Sequence, residues 1–94
     1  MPVTFDHRVT IAPEVLFRLL SDDAVVVNLN TEQYLELNAV GARMWTVLSD
    51  ATSIQAAFER LTREFDVDPA QLRDDLAAFV DELHAHRLIA IGPG

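Results

Sequence analysis

Between Thr31 and Trp45 the chain changes its hydrophobic period at a single residue. Gln33 to Leu37 alternates Tyr34 and Glu36 on one face with Leu35 and Leu37 on the other, the period of two of a strand with one buried face. After Asn38 the apolar positions Val40, Met44, Val47 and Leu48 recur at helical spacing with Trp45 alongside, and Asn is among the best N-caps. A strand is thus predicted to run directly into a helix. Upstream, Ala24-Val-Val-Val-Asn-Leu29 is short and β-branched, and the turn Asn30-Thr31-Glu32 joins it to Gln33–Leu37 as a β-hairpin. Arg8 to Ile11 reads as a further strand, bounded by Pro13. Glu14 to Leu20 fits a short helix opened by Pro13 or an extended linker equally well.

Two more helices follow. Ser53 caps one that carries Ile54, Ala57, Phe58, Leu61 and Phe65 on a single stripe. Asp68 with Pro69 at the first helical position opens the other, whose core stripe is read as Leu72, Leu76, Phe79 and Leu83 with Val80 beside it. Ile89 to Ile91 adds a tail strand. Short strands followed by three helices make one α+β domain over residues 1–94, and the tight Ser49–Ser53 turn gives two of the helices the look of a winged helix-turn-helix.

Charge removes the partner that such a fold suggests first. Fifteen acidic residues stand against seven basic ones, all arginine, for a formal net charge of -8. Glu64, Asp66, Asp68, Asp74, Asp75, Asp81 and Glu82 face only Arg73 within their stretch, so a nucleic-acid backbone would be repelled. Catalysis has no better footing. There are no cysteines, the three glycines form no phosphate loop, and no Ser, His and Asp spacing suggests a triad. His84 and His86, about 200° apart on a helix, cannot close on one metal ion. No metal and no cofactor is therefore expected. The N-terminus has no signal-peptide pattern and no apolar run approaches 18 residues, so a cytoplasmic protein without a membrane partner is the expectation.

The run from Val25 to Trp45, with its joint YLELNAVGARMW, then Phe65-Asp-Val-Asp-Pro69, Asp75-Leu-Ala-Ala-Phe-Val-Asp-Glu-Leu83 and Leu88-Ile89, resembles the PqqD-like family over roughly residues 24–89. The resemblance implies a three-stranded antiparallel sheet packed on three helices. It also implies a non-catalytic role: binding the leader segment of a ribosomally made precursor peptide and presenting it to a processing enzyme. The leader would add as a strand beside Gln33, Tyr34, Leu35, Glu36 and Leu37, in a groove against the last helix. The contacts expected from that helix are Arg73, Leu76, Ala77, Phe79 and Val80, with Asp75 as the charged contact for a basic leader; which flank meets the sheet edge is left open by the sequence. Short acidic members resemble those of lasso-peptide pathways, whose partner is a cysteine leader protease. Others serve radical SAM enzymes. A winged-helix regulator of DNA is the reading from a different class.

Overall fold

The computed structural model describes residues 4–93, which form β1 (His7–Ile11), β2 (Val15–Leu20), β3 (Asp23–Asn28), β4 (Tyr34–Leu37), α1 (Ala39–Asp50), α2 (Ile54–Glu64), α3 (Pro69–Ala85) and β5 (Ile89–Pro93). β3 is the centre of a three-stranded antiparallel sheet of order β2-β3-β4. It turns Ala24, Val26 and Asn28 inward, while Val25 and Val27 stay half-buried on the outer face. The hairpin with β4 sets Leu37 opposite Ala24 and Tyr34 opposite Val27.

Glu14–Leu20 is neither helix nor linker. As β2 it pairs with β3 from Val15 opposite Asn28 to Leu20 opposite Asp23, across the two-residue loop Ser21-Asp22. Ser21 takes φ 59 there, a left-handed conformation characteristic of short hairpin loops. Phe17, half-buried on the inner face, stacks on Trp45 of α1 with ring centroids 5.9 Å apart. Leu16, Leu19 and Leu20 of this strand are all exposed. Pairing with a neighbouring strand outweighs local preference here. β1 is the strand expected at Arg8–Ile11, but it joins the tail strand β5 in a separate two-stranded sheet, Val9 opposite Ile91.

Each helix begins as the sequence indicates. Asn38 Oδ1 accepts from Gly41 N at 2.8 Å, Ser53 Oγ from Ala56 N at 3.0 Å and Asp68 Oδ1 from Ala70 N at 3.2 Å, satisfying amides that a helix leaves unpaired. α3 ends in a Schellman motif: Leu88 N donates to Leu83 O and Arg87 N to His84 O, both at 3.0 Å. Arg87 holds the left-handed position, φ 60, where glycine is the common residue. Arg43 of α1 forms an ion pair with Glu64 of α2, Nε to Oε2 at 2.6 Å. That bond draws the Glu64 carboxyl below its usual range and raises Arg43.

The core lies between the sheet's inner face and the three helices. Val26, Val47, Ile54, Leu61, Leu76, Val80, Leu83 and Leu88 are its largest fully buried side chains, each worth about 1.5–3 kcal/mol in removed apolar surface. Truncating one without touching the sheet edge measures this packing. Val47→Ala should lower unfolding free energy by about 2 kcal/mol, read from urea denaturation as a lower midpoint at unchanged slope.

Candidate functional site

Hydrogen-bond alternation determines which edge of β4 is open. Asn28 N donates to Gln33 O at 2.8 Å, so residues 28 and 33 are a bonded pair. Counting along the register, Val26 with Leu35 and Ala24 with Leu37 are the next bonded pairs. The N–H and C=O groups of Tyr34 and Glu36 therefore point away from β3, and among the described residues no strand takes them. The inward side chains of Leu35 and Leu37 hold the strand against the core, half-buried and buried respectively.

Where β4 ends, a groove of about 300 Å³ begins. One wall is Asn38, Val40, Gly41 and Met44 from the start of α1; the other is Asp75, Ala78, Phe79 and Glu82 from α3. α1 comes close to β4 here because Gly41 has no side chain: a Cβ at that position would stand 3.3 Å from Leu37 Cβ. Met44 and half-buried Phe79 make the floor apolar, and Val40 remains 45% exposed at the rim. Two carboxylates flank it. Asp75 accepts from Gln71 Nε2 at 2.9 Å, and Glu82 is exposed. The combination suits an extended chain that offers backbone to the edge, an apolar side chain to the floor and a cation to the rim.

A model of the family described as coenzyme PQQ synthesis protein D (PqqD) matches residues 23–89. The chain belongs to the PqqD family. Among solved structures, TbiB1 in complex with the TbiA(β) leader peptide is similar at a TM-score of 0.77 and 28% identity, covering 85% of this chain and 93% of TbiB1. No curated protein matches the chain.

Within this PqqD-family fold the residues singled out from sequence fall into four places. Tyr34 and Glu36 lie on the exposed outer face of the edge strand, and Gln33 precedes it with its side-chain Oε1 buried and unpaired. Asp75 and Phe79 line the groove. Leu76 and Val80 do neither: both are wholly buried in the core. Arg73 lies off the groove, its guanidinium 4.0 Å from the centre of the Phe5 ring and its Nη1 3.4 Å from Gln55 Oε1. Ala77 is half-buried against the core.

The cause is one substitution in the stripe. Burial follows Leu72, Leu76, Val80 and Leu83, with Phe79 displaced to the edge. Exchanging Phe79 for Val80 turns the buried face by about 25° at 100° per residue, and the groove wall moves to the Asp75, Ala78 and Glu82 side. Ala78, Glu82, Asn38, Val40, Gly41 and Met44 were not among the expected contacts. The nearest sequence signal is the carboxylate-bearing flank Asp75, Ala78, Glu82 that shares its face with an aromatic.

Among the described residues no group of three His, Asp or Glu side chains converges to hold a metal ion, and no helix is long and apolar enough to cross a membrane. A larger hollow of about 640 Å³ opens between the turns at Pro13 and at Asn30–Thr31 and the end of α3 at His84. Core and groove positions should respond oppositely to a carboxylate. Val80→Asp should cost about 4 kcal/mol or more and remove the cooperative thermal transition. Ala78→Asp, on the exposed side, should stay within about 1 kcal/mol of the parent by the same melt.

Proposed function

We propose that this PqqD-family chain binds the leader segment of a ribosomally synthesised precursor peptide by strand addition to β4 and presents it to a processing enzyme, without catalysing a reaction itself. The observation that carries this reading is the pair of outward-facing backbone positions, Tyr34 and Glu36, on a strand that runs through Asn38 into a groove with an apolar floor. The leader peptide bound to the similar TbiB1 supports it. Backbone pairing gives affinity with little demand on sequence, and the groove selects a side chain.

The carboxylates of Asp75 and Glu82, within a chain of net charge -8, favour a leader with a basic residue beside its apolar anchor. Maturation of a lasso peptide in the cytoplasm, with a cysteine leader protease as the enzyme, is the favoured setting. A radical SAM enzyme as the partner is the alternative, in keeping with a family described by coenzyme PQQ synthesis. DNA is disfavoured, since α3 exposes Asp74, Asp75, Asp81 and Glu82 where a recognition helix needs donors and positive charge.

Glu36→Pro tests the edge cleanly. The lost N–H is one that β3 does not use, so a proline is tolerated on this side of an edge strand. Circular dichroism should show the variant folded while fluorescence anisotropy with the labelled precursor leader shows affinity at least tenfold weaker, a loss of about 1.4 kcal/mol or more. Glu36→Ala should stay within about threefold, because the backbone carries the contact. A proline variant that binds like the parent means that the peptide does not pair with this edge.

A further inference from the structure

An amide stands where β3 calls for a hydrocarbon. Ala24 and Val26 occupy the inner face of that strand, and Asn28, next in the alternation, is just as enclosed at 5% exposure, the one buried polar side chain among the described residues. Its groups are heavily used. Oδ1 accepts from Asn30 N at 2.9 Å and Thr31 N at 3.1 Å, which shapes the turn that launches β4. Nδ2 donates to Arg87 O at 2.7 Å, a bond between residues 59 apart in sequence. Arg87 is the left-handed residue that terminates α3.

The groove is walled by α3 and by the start of α1, which continues β4 through Asn38. At that end of β4, Gly41 lets helix and strand approach. At the other end the turn before β4 meets the end of α3 through Asn28. A valine there would bury as well but would leave Arg87 O and the two turn amides without these partners.

We propose that Asn28 is a positioning residue for the peptide cleft: its side chain clasps the β3–β4 turn to the C-terminus of α3 and so fixes the spacing between the edge strand and the helix beside it. This rests on the leader-binding reading. A cleft whose walls drift is competent for only part of the time, and apparent affinity falls by that fraction. The loss appears in the association rate, since a peptide already paired reassembles the same contacts.

Asn28→Asp isolates the clasp. It keeps an oxygen for the amides of Asn30 and Thr31, removes the donor to Arg87 O, and sets a carboxylate against that carbonyl. Val47→Ala is the matched control, destabilised in the core away from the cleft. The chain has no cysteine, so spin labels can be placed at Glu36→Cys on the edge strand and Asp81→Cys on the exposed side of α3, with both sites double-labelled in each background. Electron-electron distance measurement without peptide should give a narrow distribution for the parent and Val47→Ala and a broadened one for Asn28→Asp, all three folded by circular dichroism. Stopped-flow association of the precursor leader should slow about tenfold for Asn28→Asp and stay within twofold for Val47→Ala. An unchanged distance distribution in Asn28→Asp, or equal slowing in both variants, overturns the clasp. A broadened distribution in a protein that binds no leader would leave the clasp standing and remove the leader-binding reading.

Discussion

The backbone of β4 can use only half of its hydrogen bonds within the fold. Its register against β3 commits Leu35 and Leu37 to bonded pairs and to the core together, and by the same alternation commits Tyr34 and Glu36 to the outside in both respects. A slip of one residue would bury Tyr34 and Glu36 and expose the leucines. The free edge is therefore fixed by the same packing that stabilises the domain. A native sheet covers such an edge or blunts it with charge, bulges or proline. Here Glu36 is the only charged side chain on the strand, and the edge opens beside a groove with an apolar floor.

Rigidity follows from how the strand is held at each end. Asn38 ends β4 and caps α1 in one step through its bond to Gly41 N, leaving no loop between edge and helix to absorb motion. Asn28 holds the opposite end through Arg87 O. An incoming peptide then meets a surface that is already ordered, and the cost of ordering falls on the peptide alone. The acidic rim adds long-range attraction for a cation, screened by salt.

Local chemistry was legible in the sequence and pairing over distance was not. The change of period at Asn38, the caps at Ser53 and Asp68, and the hairpin from Ala24 to Leu37 all depend on neighbours within a few residues, and each appears in the structure. Glu14–Leu20 was ambiguous because a short segment after Pro13 says nothing about a partner strand, and its identity as β2 comes from β3. The partner of β1 lies at the other end of the chain. On α3 the choice between Phe79 and Val80 as the core residue is a rotation of about 25°, too small for a stripe of four positions to resolve, yet it decides which flank lines the groove. Asn28, read as part of the strand Ala24–Leu29, gave no signal as a buried group, since the carbonyl that its amide meets is 59 residues away in sequence.

Residue-resolved amide hydrogen exchange with and without the precursor leader tests the central claim directly. In the free protein Tyr34 and Glu36 amides should exchange fast while the Leu35 amide, bonded to β3, is protected. Saturating leader should slow Tyr34 and Glu36 by at least an order of magnitude and leave Leu35 little changed, the signature of a strand added to this edge. Tight binding with both amides still exchanging as in the free protein would contradict the account, because the peptide would then be held without the backbone of β4.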